Sequence, residues 1–233
     1  NSFLSYVVQR KDFPSKWLPP VVSDDEVVTK TKRIGYPLSD SQIIRLVDSI
    51  ENPKWRFVIQ LMATYGLRPE DLKHLHTRNN GKDLWSDYRK SKGGKKGETT
   101  EPRQLFPLFV QDIDGSAINW NLKQRIHIKE ELPPLNDSNS VGQAVGRFLR
   151  DNKVWQQLKE EALAERQQCV PYSFRHRYSY VGHNRQKDDG TYRAPKQISD
   201  AMGHSLDVHL ASYARFMTKE LAKNFDQEKI EVN

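Results

Sequence analysis

Between residues 82 and 108, a chain that elsewhere repeats its apolar residues at helical spacing loses that period. "KDLWSDYRK" and "RQLFPLF" read instead as two strands flanking a long basic hairpin loop, "SKGGKKGETTEP". One such interruption in a helical chain restricts the architecture to a mainly α domain with a small antiparallel β-sheet, an α+β fold. With 233 residues there is enough chain for one large or two small domains with a real core.

The helical segments carry their own punctuation. In "YPLSDSQIIRLVDSI", Ser39 and Gln42 form a capping box, and Ile43, Leu46, Val47 and Ile50 make one apolar face. A second helix, "PKWRFVIQLMATYG", stops at Gly66. The short helix "PEDLKHL" starts on Pro69, with Glu70 and Asp71 in its first turn where acids suit the dipole. "VGQAVGRFLRDNKVWQQLKEEALAERQQ" is helical by period throughout. A helix from about Ser173 to His183, the polar loop "NRQKDDGTYRAP" and a helix at "KQISDAM" follow, and "KELAKNFDQEKIEVN" is expected to begin helical and then fray.

Residues 1–36, with Pro14, Pro19 and Pro20 spread through them, read as the tail of a preceding domain and a linker. Residues 37–219 read as one domain and 220–233 as a C-terminal tail. Asn1 opens the chain without a methionine, which predicts a piece of something longer.

Charge narrows the partner. Thirty-seven Lys and Arg against 30 Asp and Glu give a net charge of +7, which favours a polyanion. A lone cysteine, Cys169, excludes an internal disulfide framework and a cysteine-rich zinc site. There is no signal-peptide pattern and no apolar run near the ~20 residues of a membrane span, so a soluble intracellular protein is expected.

Several residues sit where structure alone would not put them. His204 and Tyr213 are nine apart in "MGHSLDVHLASY"; on one unbroken helix, nine steps of about 100° would set them on opposite sides. A stop at Gly203 and a new helix capped by Ser205 or Asp207 would bring them to one target. Arg68, in "YGLRPEDL", occupies an N-cap position where Ser, Thr, Asp or Asn would bond the helix. Preceding a proline it is extended, which projects the guanidinium from the corner as a phosphate clamp, although a surface arginine at a turn has the same local sequence.

In "YSFRHRYSY", Tyr172 and Arg175 share a helix face, with His176 on the next turn from Tyr172, and the same pattern also suits an ordinary basic amphipathic helix. Lys90, Lys92, Lys95 and Lys96 lie on the hairpin, where "KGGKKG" lacks the spacing of a nucleotide-binding P-loop and suits an arm reaching toward DNA, or a solvated charge run. His204 and His209, five apart without a third ligand, and His74 and His76, two apart on a helix, match no zinc pattern; no metal is expected.

In this order "GLRPEDL", "YSFRH" and "MGHSLDVHLASY" resemble the three motifs of the tyrosine recombinase (phage integrase-type) family, and the resemblance runs from about Tyr36 to Lys219. It implies the catalytic-domain fold that these enzymes share with type IB topoisomerases. It also implies site-specific recombination, in which double-stranded DNA is cut and rejoined through a 3′-phosphotyrosyl intermediate.

By that resemblance Arg68 and Arg175 clamp the scissile phosphate, His204 is an accessory donor, Tyr213 is the nucleophile, and a hairpin lysine is the general acid, Lys90 before Lys92. Tyr172, also in the implied catalytic set, stands where the family most often has a histidine; a phenol can still donate a hydrogen bond but is a poor base at neutral pH. Asp71 resembles the family's acidic support residue, while Leu210 and Phe216 are expected in the core. Lys92, Lys95, Lys96, His176 and Arg177 are the expected DNA contacts. The resemblance further implies no cofactor, a homotetramer on paired DNA sites with a monomer as the DNA-free state, trans packing of the C-terminal tail and a cytoplasmic, DNA-associated location. Relaxation of the topoisomerase type and a catalytically silent DNA-binding relative are the alternatives.

Overall fold

The computed structural model describes residues 34–91, 99–135 and 140–217 together with Lys11. Lys92, Lys95 and Lys96 and the 220–233 tail therefore lie outside the described residues. The chain divides into residues 1–33 and 34–233, and every element below belongs to the second unit.

Helix α1 (Asp40–Asp48) begins at the expected capping box: the Gln42 amide N–H donates to Ser39 Oγ, and the Ser39 N–H to the Gln42 side chain. Asn52 caps α2 (Pro53–Tyr65), and its residues from Phe57 to Tyr65 are all buried. A helix buried on every side belongs at the centre of a domain, and the second half of α2 fills that place. It ends on Gly66, whose φ of 57° is left-handed.

A 3₁₀ turn at Pro69–His74 leads into an antiparallel sheet of order β1–β2–β3, made by β1 (Leu75–Arg78), β2 (Asp83–Ser86) and β3 (Arg103–Leu105). The expected pair is β2 and β3; β1 is an additional strand. Its "LHTR" carries no apolar alternation, but Asn79, Asn80 and Gly81 all take positive φ and turn the chain back onto it. His76 consequently lies on β1 and His74 ends the 3₁₀ turn, so the two do not share a helix.

Helix α3 (Leu122–His127) precedes α4 (Val141–Arg150) and α5 (Lys153–Ala164). The single helix expected from 141 onward breaks at Asp151 and Asn152. The Asn152 side chain accepts from the Trp155 N–H and donates to Ser49 Oγ, so it caps α5 and ties it to the end of α1. Helix α6 (Ser173–Asn184) packs on α2, and α7 (Pro195–Met202), α8 (Leu206–Tyr213) and a 3₁₀ turn (Ala214–Phe216) complete the domain. Leu108, Tyr178, Ile198, Met202, Tyr213 and Phe216 belong to a second apolar cluster that seats α7 and α8 on α6. Phe216 is buried as expected. Leu210 is 38% exposed, because the buried side of α8 is the one bearing His209 and Tyr213. No helix among the described residues is long and apolar enough to cross a membrane.

Arg177, expected to face DNA, is 0% exposed. Its guanidinium donates to Asp40 and to the carbonyls of Ala63, Leu108 and Phe109, which uses all five N–H groups inside the protein. Arg185 completes the clasp on the other Asp40 oxygen at 2.6 Å. Burial pushes the Asp40 carboxyl up, but Arg177, the Gln111 N–H and Arg185 outweigh it and hold the carboxyl below its ordinary 3.8.

A carboxyl depressed in the fold stabilises fully above the unfolded value, and that contribution is lost as pH falls through the folded one. Asp40→Ala leaves Arg177 charged and uncompensated, at an expected cost of about 3–5 kcal/mol near pH 7. Denaturant unfolding of the two proteins should show that gap at neutral pH and a narrowing gap below pH 3.8; equal stability at pH 7 would refute the clasp.

Candidate active site

Arg68 sits between Gly66 and Pro69 with φ −69° and ψ 147°, the extended backbone that a following proline imposes. Its amide donates to Asp71 Oδ2 at 2.8 Å. Asp71, fully buried, also accepts from Ser86 Oγ at 2.6 Å and from Arg103 at 2.8 Å. The acid thus ties the Arg68 corner to β2 and β3, and it supports the Arg68 backbone rather than its guanidinium. Burial pushes the Asp71 carboxyl up, and Arg103, Ser86 and Arg68 together bring it below its ordinary value.

The Arg68 guanidinium turns inward and donates to the Gly203 carbonyl at 2.7 Å. Arg175, 1% exposed on α6, donates to the Gly66 carbonyl at 2.8 Å, to the Met202 carbonyl, and through Nη2 to His204 Nδ1 at 3.0 Å. Arg103 donates to the Ala201 carbonyl at 3.3 Å. Three guanidiniums therefore converge on residues 201–204. Burial, then Arg175 and Arg103, press the Arg68 pKa down, against the pull of Asp71 and Tyr172.

Among the described residues, Arg68 Nε and Nη1 and Arg175 Nε are nonetheless buried with no hydrogen-bond partner. Crowded cations with idle donors are costly in a protein interior unless an anion completes them, and a phosphate offers the matching oxygens.

Gly203 makes the convergence sterically possible. It ends α7 at φ 69°, and a Cβ there would lie 2.6 Å from Arg103 Cδ. Gly203→Ala is expected to cost at least about 1–2 kcal/mol from its left-handed backbone alone. Thermal melts would read that loss, and an unchanged melting temperature would refute the close packing.

Past Gly203 the chain starts afresh. Ser205, rather than Asp207, caps α8 by accepting from the Val208 N–H. The break brings His204 and Tyr213 face to face, with ring centroids 5.7 Å apart and planes within 11°. Tyr213 is 4% exposed and is also flanked by His176 at 5.6 Å and His209 at 5.2 Å. Burial raises its phenol pKa, Arg175 and Arg68 pull it down, and Tyr172 raises it.

His176 packs edge-on to Tyr172, with the Gly35 backbone so close that a Cβ there would lie 2.0 Å from its Nε2. Burial, Arg215 and Arg175 press its pKa down to about 4, and among the described residues its Nδ1 has no partner. Tyr172 stays 36% exposed beside His176.

Arg68, Tyr172, Arg175, His176, His204 and Tyr213 are thus brought together. Lys90 is exposed on the arm beyond β2, its backbone paired with Thr100 in both directions, and no hydrogen bond or ion pair among the described residues joins its ammonium to the cluster.

Three site residues escape sequence reasoning. Arg103 has no local signal, since its partner Asp71 lies 32 residues away. For His209 and His183 the missing information is their pairing across 26 residues, although His209 does lie one helical turn before Tyr213 on the same face. It bonds His204 Nε2 through its Nδ1 at 2.9 Å and His183 Nε2 through its Nε2 at 2.9 Å. Burial foremost, then Arg175, presses His204 to about 3; burial and His183 press His209 to about 4, and burial lowers His183. Among the described residues no group of three or more His, Cys, Asp or Glu is arranged to hold a metal ion.

The fold is that of the tyrosine recombinase catalytic domain, so the resemblance read in the three motifs holds at the level of the fold. The integrase of the Tn1549 transposon, in complex with circular intermediate DNA, matches over 96% of this chain and 76% of its own, with a TM-score of 0.53 and 17% identity. A second structure of that integrase with circular intermediate DNA matches over 96% of this chain and 75% of its own, with a TM-score of 0.51 and 15% identity. In sequence, the chain is 23% identical over 208 residues to Excisase A of Nostoc sp. strain PCC 7120, covering 86% of this chain and 37% of the excisase. No family model matches the chain.

Proposed function

We propose that this domain is the catalytic part of a site-specific DNA recombinase, which cuts and rejoins one DNA strand at a time through a 3′-phosphotyrosyl link. The observation that carries the reading is the set of three idle guanidinium nitrogens on Arg68 and Arg175, buried beside the phenol of Tyr213. A DNA phosphodiester placed there receives two clamps on its non-bridging oxygens, where charge builds in phosphoryl transfer. The Tyr213 oxygen forms the new bond to phosphorus, and the bond to the deoxyribose 5′ oxygen breaks.

Lys90 is the proposed acid for that leaving oxygen, brought in by the hairpin arm when DNA binds. The phenolic proton is released as the bond to phosphorus forms, with His176, whose ring centroid lies 5.6 Å from that of Tyr213, as the nearest neutral imidazole with a nitrogen unpartnered among the described residues. Tyr172 donates a hydrogen bond to the same phosphate. Attack on the phosphotyrosyl link by a free 5′ hydroxyl reverses the steps and joins a new partner strand.

Lys92, Lys95 and Lys96 are proposed backbone contacts, with duplex DNA as partner and a homotetramer on paired sites as the working assembly. Residues 1–36 then belong to the tail of a DNA-binding domain, and 220–233 exchange between protomers. Support from relatives is of the same kind: the structures matched are integrase–DNA complexes and the sequence relative is an excisase. Incubation with nicked suicide DNA tests the proposal; a covalent protein–DNA adduct is expected, and its absence on the protein's own recombination site would leave a DNA-binding relative without turnover.

A further inference from the structure

Behind the arginines, His204, His209 and His183 form an unbroken hydrogen-bonded row that starts at Arg175. A guanidinium can only donate, so the His204 Nδ1 that faces Arg175 is bare and the ring proton sits on Nε2. That N–H donates to His209 Nδ1, which places the His209 proton on its Nε2, facing a bare Nε2 on His183. The first contact thus sets the protonation of all three rings. One extra proton anywhere would turn two N–H groups toward each other, and burial together with Arg175 keeps the row neutral.

Both His204 nitrogens take part in this row. His209 is fully buried and His183 is 5% exposed. They come from α8 and α6 respectively, the helices that also carry Tyr213 and Arg175.

We propose that His209 and His183 are positioning residues which, through His204, hold Arg175 so that its idle Nε is presented to the phosphate. The identity of the anion rests on the recombinase reading; the order of the row does not.

Long-range ¹⁵N–¹H NMR of the protein without DNA reads that order directly. At neutral pH, His204 and His209 should be protonated on Nε2 and His183 on Nδ1; His204 protonated on Nδ1 overturns the proposal. His209→Leu cuts the row, and single-turnover cleavage of nicked suicide DNA should fall about 10²-fold while DNA affinity stays within about twofold. His209→Asn, whose Oδ1 takes the place of Nδ1 and accepts from His204, should recover most of that rate. A purely structural role predicts Asn as slow as Leu, and a Leu variant with the wild-type rate likewise ends the proposal. Should the wild type cleave no DNA at all, the strand-transfer reading falls by itself, and the NMR order still decides the row.

Discussion

Tyr213→Phe should bind DNA as the wild type does and form no covalent adduct at all. The substitution removes one oxygen and keeps the ring that packs against His176, His204, His209 and Phe216. The arginines that would hold the phosphate are untouched, so affinity and fold survive while the nucleophile is gone. Burial raises the Tyr213 pKa, so the wild-type phenol is protonated at rest, and the proposed attack would depend on the charge of Arg175 and Arg68 nearby. Denaturing gels of both proteins with nicked suicide DNA read the outcome; an adduct that persists in the Phe variant would remove Tyr213 from the reaction.

Arg175→Ala is expected to slow strand cleavage by about 10³–10⁵-fold, the range in which a guanidinium contributes to phosphoryl transfer. The effect has two sources. A clamp on the phosphate disappears, and the carbonyls of Gly66 and Met202 together with His204 Nδ1 lose the donor that aligns them. Arg175→Lys should recover little, because an ammonium cannot span those positions as a planar fork does. Single-turnover rates measured well below the melting temperature separate catalysis from stability. A Lys variant close to wild type would show that charge suffices and that the fork is dispensable.

What could be read along the chain follows the range of the interactions. The capping box at Ser39, the stop at Gly203, the cap at Ser205 and the extended backbone of Arg68 each depend on neighbours within a few residues, and each is present. Strand β1 was missed because its register comes from pairing with β2, not from its own four residues. The split between α4 and α5 was hidden because both halves keep the helical period, and Asn152 acts through Ser49, 103 residues away.

Arg177 is the instructive error. Next to Arg175 and His176 it reads as one more basic group on a DNA-facing helix, yet it lies on the opposite side of α6 and closes on Asp40 across 137 residues. His176 differs again: its ring packs against Tyr213, and burial, Arg215 and Arg175 press its pKa down to about 4, so it carries no charge there at neutral pH.

By itself, then, the sequence determined a mainly helical domain with one β interruption, the helix break that frees Tyr213, and the residue types of an anion site. Only the tertiary structure decided which cations converge on residues 201–204, which are locked away in ion pairs, and which histidines stand behind Arg175. Backbone preferences and caps are settled by adjacent chemistry. The partner of a buried charge is settled by which distant segment packs against it, because desolvation makes an interior guanidinium depend on the groups that surround it.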